Sequence, residues 1–183
     1  MDVRRSPARS AMTDRILDHA RKLVMEKGWD RFSLRALARS VGLSPASLYE
    51  YFDGKEAILE AVADRARRRL IAELRGVPSD ADNRLVELAM AYVDFARRHR
   101  EDFMLLFART TDGEVPGKNS PYAIWLNQAT RELQGADPHV AAYGVWACAH
   151  GLAMLQLTEL GAVDADFEQS DRKTVTALVG ALA

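Results

Sequence analysis

Between Ser33 and Leu59 the chain reads SLRALARSVGLSPASLYEYFDGKEAIL. The punctuation inside this stretch constrains the fold more than any other feature. Ser33 suits the N-cap of a short helix whose Leu34, Leu37, Ala38 and Val41 share an inward face. Gly42 follows, the residue type that accepts the left-handed backbone at a helix end. Leu43 plugs the turn, Ser44 offers a second N-cap, and Pro45 stands at the first helical position, where its missing N–H costs nothing. The second helix is expected to run through Leu48 to about Phe52. Asp53 then caps a long helix carrying Ala57, Ile58, Ala61 and Val62, which ends before Gly76-Val77-Pro78. Two short helices joined by a tight turn and braced by a preceding helix form a helix-turn-helix, whose second helix is the one that enters a DNA major groove.

The bracing helix is expected to open at Thr13, with Asp14 in its first turn. Ile16, Leu17, Ala20, Leu23 and Val24 form its apolar stripe, Gly28 stops it, and Trp29 and Phe32 anchor the connection. Residues 1–12 contain Arg4, Arg5 and Arg9 and read as a flexible basic arm, either lying in a neighbouring minor groove or free as a tail. Charge points the same way. Residues 1–75 carry sixteen Lys and Arg against eleven Asp and Glu, a net of +5, whereas residues 76–183 carry a net of −6. A basic front on an acidic body suits a polyanionic partner at the front.

Elsewhere helical periodicity dominates, and no run alternates as a strand does. Cys148 is the single cysteine, which forbids an internal disulfide. His19, His99, His139 and His150 lack the i, i+4 pairing of metal-binding helices. Cys148 and His150 point about 200° apart on one helix, which disfavours a Cys–His nucleophile. No Gly-rich phosphate loop occurs. No catalytic residue, metal or cofactor is therefore expected, and with no apolar run at the start of the chain the expected location is the cytoplasm.

The second helix carries donors fit for DNA. Ser44 and Ser47 are small hydrogen-bonders, Ala46 lets the backbone approach and can touch a thymine methyl, and Tyr49, Tyr51 and Lys55 suit phosphate oxygens. Leu48 and Phe52, four apart, are expected to face the core, with both tyrosines flanking that face. Residues 12–60 resemble the N-terminal DNA-binding domain of TetR-family regulators. The resemblance lies in Gly28-Trp29, Ser33 to Ala38, Val41-Gly42-Leu43-Ser44, Ser47 to Phe52 and Lys55 to Leu59; Leu37 and Gly54 depart from it slightly. It implies a phosphate contact at Ser33 and a groove-facing contact at Arg35. It also implies a recognition-helix start at Ser44, Ala46 and Ser47, and a backbone clamp of Tyr49, Tyr51 and Lys55.

The rest of the chain reads as a helical bundle. Leu85, Leu88, Ala89, Tyr92, Val93 and Ala96 make one stripe, and Phe103, Met104, Leu106 and Phe107 a short apolar helix. Thr110–Ser120 reads as a mobile loop. Ser120-Pro121 and Asp137-Pro138 open two further helices, the second free of charge from Val140 to Thr158. A membrane span is disfavoured there by its Ala and Gly content and by His150 and Gln156. A buried helix with an oligomer interface is expected instead, formed by Gly144, Ala147, Cys148 and Gly151 with Val175, Leu178 and Leu182 of the last helix. Dimerisation through the last two helices is also what the resemblance implies, and Trp146-x-x-x-His150-Gly151 resembles the signature of a subgroup named for its Trp, His and Gly. Met90, Phe103, Phe107, Trp125, Trp146 and His150 are candidate lining residues of an effector pocket, or plain core.

The expectation is thus an all-α protein of about nine helices: a flexible arm at 1–12, a helix-turn-helix domain at 13–60, a linking helix at 54–75, and a ligand-binding and dimerisation domain at 76–183. Its function would be that of a homodimeric repressor on an inverted-repeat operator of double-stranded DNA, released by a small apolar effector. The alternative is a helical small-molecule-binding or enzymatic protein whose helix-turn-helix is incidental.

Overall fold

A computed structural model describes residues 7–107 and 120–183. Among these residues the chain forms nine helices and no strand: α1 (Pro7–Lys27), α2 (Leu34–Val41), α3 (Pro45–Leu48), α4 (Lys55–Gly76), α5 (Arg84–Arg98), α6 (Arg100–Phe107), α7 (Pro121–Glu132), α8 (Pro138–Leu157) and α9 (Phe167–Leu182). The fold is all-α, as expected. It divides into two compact units, one ending at Ala66 and the next starting at Arg67, so α4 contributes to both. Of the loop expected at 110–120, only Ser120 lies within the described residues.

In the first unit, Ile16, Leu17, Ala20 and Val24 of α1 are buried along with Phe32, Leu37, Ala38, Val41, Leu48, Ile58, Leu59 and Val62. Two boundaries differ from expectation. The first concerns α1, which opens at Pro7, so residues 7–12 are helix rather than flexible arm; Arg4 and Arg5 lie outside the described residues. Thr13 sits inside that helix, where its hydroxyl donates to the Arg9 carbonyl at 2.8 Å. A threonine can satisfy its hydroxyl this way in mid-helix, so its presence alone does not mark a start. The second concerns α4. The Gly54 carbonyl, not Asp53, stands at its head, accepting from Ile58 N–H at 3.3 Å. Gly54 has φ +124°, a backbone open only to glycine, which leaves it the residue able to make that corner.

In the second unit, α5 packs against α6, α7, α8 and α9. Its Leu85, Leu88, Ala89, Tyr92, Val93 and Ala96 are all fully buried, with Phe103, Trp125, Val145 and Ala149 around them. Ser120 and Asp137 cap α7 and α8 through their side-chain oxygens, each followed by Pro at the first position. The start of α5 is held differently. Asn83 adopts φ 51° and makes no side-chain cap. The Glu132 carboxylate, from the end of α7, accepts from Leu85 N–H at 3.1 and 3.2 Å instead.

α8 is not buried on all sides. Ala141, Ala142, Val145, Ala149, Ala153, Gln156 and Leu157 face the core. Val140, Tyr143, Ala147, Gly151 and Leu155 are exposed, Tyr143 by 67%. The helix is long and apolar enough to cross a bilayer by length and composition, yet one-third of that apolar window is buried against its own chain.

Candidate nucleic-acid interface and aromatic core

The recognition segment is built by caps. Ser33 Oγ accepts from Ala36 N–H at 3.5 Å to open α2, and Gly42, at φ 73° and ψ 28°, closes it. Leu43 N–H reaches back to the Ala38 carbonyl at 2.9 Å, which fixes the tight turn. Ser44 Oγ accepts from Ser47 N–H at 3.0 Å, and the two hydroxyls lie 2.9 Å apart. Regular α-helix then lasts only from Pro45 to Leu48. Beyond it, Tyr49, Glu50 and Tyr51 N–H groups bond three residues back, to Ala46, Ser47 and Leu48 carbonyls. The segment expected to be helical to Phe52 is thus one α-turn tightened into i→i−3 turns, because Asp53-Gly54 turns the chain at once.

Side chains sort cleanly by face. Leu48 is buried and Phe52 half-buried. Ser44, Ala46 and Tyr49 are exposed, Tyr49 by 58%, with Ser47 half-buried between them. On α2, Ser33 and Arg35 are exposed, and so is Arg39, which sequence reasoning passed over. Arg39 was legible, since it stands one turn after Arg35. Two members of the expected clamp are engaged within the chain. Lys55 Nζ reaches the Asp30 carbonyl at 3.5 Å. Tyr51, half-buried, lies beneath the Arg9 guanidinium, 5.2 Å from its ring centre.

The six expected pocket residues do not form one group. Phe103, Phe107 and His150 meet, with His150 stacked on Phe103 at 5.7 Å and close to Phe107 at 4.5 Å. Tyr92, which the sequence placed only in the core stripe, joins them: its hydroxyl is 3.0 Å from His150 Nδ1, and its ring meets Phe103 and Trp125 edge-on. Burial pushes the Tyr92 phenol well up and His150 down, so both stay neutral at pH 7. The neutral His150 ring and the Tyr92 hydroxyl share this one hydrogen bond, its direction set by the His150 tautomer. Among the described residues the buried indole N–H groups of Trp125 and Trp146 meet no acceptor in hydrogen-bonding geometry, although that of Trp146 lies near the Tyr92 oxygen. Trp146 packs with Tyr122 at 5.9 Å. Met90 belongs elsewhere, lining a 570 Å³ cavity with Val77, Ala91, Asp94 and Arg97.

The expected interface residues also divide. Ala147 and Gly151 are exposed, and Gly144, Cys148, Leu178 and Leu182 half-buried. Val175 is a correction, since it is fully buried in the core of its own chain and has no surface to offer a partner. Burial, then the Asp171 carboxylate, push the Cys148 thiol up, away from a reactive thiolate. Among the described residues no group of three or more His, Cys, Asp and Glu is placed to hold a metal.

Comparison with known proteins covers both units. Residues 16–62 match the family described as bacterial regulatory proteins, tetR family, and residues 85–178, over half of the chain, match a tetracyclin repressor-like C-terminal domain. The HTH-type transcriptional regulator Rv0681 of Mycobacterium tuberculosis is 27% identical over 165 residues, covering 84% of this chain and 75% of its own length. Among solved structures, a regulatory protein, SCO4313, superposes with a TM-score of 0.77 at 24% identity, covering 96% of this chain and 98% of the other. A TetR variant from Acinetobacter baumannii AYE, solved in complex with minocycline, superposes with a TM-score of 0.60 at 18% identity, covering 91% and 93%. Matched in order along both of its units, this chain belongs to the TetR family of bacterial transcriptional regulators.

Proposed function

We propose that the protein is a homodimeric repressor that binds an inverted-repeat operator in the cytoplasm and is released by a small-molecule effector. The observation that carries the DNA reading is the split of the recognition segment: Leu48 anchors one side in the core while Ser44, Ala46 and Tyr49 stand open on the other. On this reading Ser33, Tyr49, Tyr51 and Lys55 hold phosphates, and Arg35, Ser44, Ala46 and Ser47 face the groove. Residues 13–60 form the reading head, 54–75 the link, and 76–183 the body that binds ligand and partner. The exposed, uncharged stripe of α8, Val140, Tyr143, Ala147, Gly151 and Leu155, supports a second copy as the partner, because water-facing apolar rows of this length mark interfaces. Two-fold pairing then requires two half-sites one helical turn apart or a multiple of it.

The effector reading rests on the aromatic core. A ligand replacing part of the Phe107–His150 contact would meet flat apolar rings and indole N–H groups that have no acceptor among the described residues. A small, mostly apolar molecule bearing a hydrogen-bond acceptor fits that chemistry. The Trp-His-Gly subgroup reading rests on Trp146, His150 and Gly151 alone. Release requires tighter effector binding to the DNA-incompetent state. The route is short: Phe103 follows Asp102 on α6, and buried Asp102 holds Arg69 of α4 at 2.5 Å.

A gel shift against DNA upstream of the protein's own gene tests the reading. A salt-sensitive complex is expected; Lys55→Ala should flatten its log–log salt slope by about 0.9, whereas Tyr49→Ala, which removes no charge, should weaken binding and leave the slope unchanged. A protein that retards no such DNA would instead favour a helical ligand-binding or enzymatic role with an incidental helix-turn-helix.

A further inference from the structure

Arg9 stands in the first turn of α1, forty-one residues before the backbone group it touches. Its guanidinium covers the Tyr51 ring, and its Nη2 donates to the Glu50 carbonyl oxygen. Glu50 and Tyr51 lie immediately beyond α3, where the backbone has already tightened into i→i−3 bonds. Carbonyls at the end of a helix lack partners in the helix and carry partial negative charge, so a cation placed there is doubly suited. A guanidinium can stack flat on a phenol while an edge N–H reaches a carbonyl; an ammonium, a point charge, does not combine the two.

From this we infer that Arg9 is a positioning residue for DNA recognition, pinning the end of the recognition segment and fixing the Tyr51 ring at the edge of the DNA-facing surface. The inference rests on the DNA-binding reading above. It replaces the idea of a mobile cation seeking a neighbouring groove with that of a fixed brace. The brace is available because α1 already includes Arg9, which gives it a defined position. The recognition segment needs such support. It has one turn of α-helix and one fully buried side chain, Leu48, and beyond that turn it is held by the Tyr51 and Phe52 N–H bonds to the Leu48 carbonyl and by the half-buried Phe52.

The test has one arm without DNA and one with it, both on the full chain. In the free protein, amide hydrogen exchange over residues 49–53 should quicken severalfold in Arg9→Ala while the buried stripe of α1 keeps its protection. Exchange equal to wild type overturns the inference. With upstream DNA as the probe, Arg9→Ala should weaken binding about tenfold, within the range of coupling between contacting residues, and leave the salt slope unchanged. Tyr51→Ala combined with Arg9→Ala should be no weaker than the worse single variant, and Arg9→Lys should recover little. Additive losses, full recovery by lysine, or a slope lowered by about 0.9 would make Arg9 an independent phosphate contact and overturn the positioning role. A wild-type protein that binds no DNA overturns the DNA reading and this inference with it, whereas an unaltered affinity in Arg9→Ala overturns the inference alone.

Discussion

α3 and α8 solve opposite problems. α3 is four residues long and owes its existence to its ends: a serine cap, a proline at the first position, and a glycine-made turn before it. α8 is twenty residues long, and its apolar residues point in every direction. Its Asp137-Pro138 start was legible, but the choice of face was not, because a helix apolar all round offers no stripe to read. Packing decides instead. α5, α7 and α9 take one side of α8 and leave Val140, Tyr143 and Leu155 in water. A short element can therefore be specified by punctuation, whereas a long uniform one is oriented by its neighbours.

Three substitutions probe that contrast. Leu48→Ala should break the short element at its single anchor, costing about 2–5 kcal/mol in the first unit, as large-to-small core changes do. Urea unfolding should register the loss, and DNA binding should disappear with it. Gly42→Ala should cost less, about 1–2 kcal/mol, because the site is open and only the φ of 73° resists a side chain. A melting temperature equal to wild type would show that the turn had relaxed to another conformation. Tyr143→Glu should be the mildest for the folded protomer, within about 0.5 kcal/mol, since Tyr143 is largely exposed. Sedimentation should nevertheless show monomers for Tyr143→Glu and, on the homodimer proposed above, dimers for the wild type. Dimers persisting in Tyr143→Glu would move the partner surface off this stripe.

How much could be read from the chain follows the same division. Ser33, Gly42, Ser44-Pro45, Ser120-Pro121 and Asp137-Pro138 all stand where local chemistry put them. Local reasoning failed where a residue had two uses. Thr13 resembles a cap yet bonds backward inside α1, and Asp53 resembles a cap beside a glycine that takes the corner. Tyr92 was read only in part, and Val175 was misplaced, for a different reason. The stripe showed that Tyr92 is buried, but not that His150 meets its hydroxyl; Val175 looked like a surface for a partner and lies in the core. Partners fifty or more residues apart leave no trace in periodicity.

The grip of Glu132 on the head of α5 bears on how the second unit assembles. Without a cap from Asn83, the opening amide of α5 finds its acceptor only after α7 has docked. The central helix is thus completed by chain that follows it by nearly fifty residues. A fragment terminated before residue 132 would fray at the base of α5, and the carboxyl-terminal half is expected to melt as a single cooperative block instead of helix by helix.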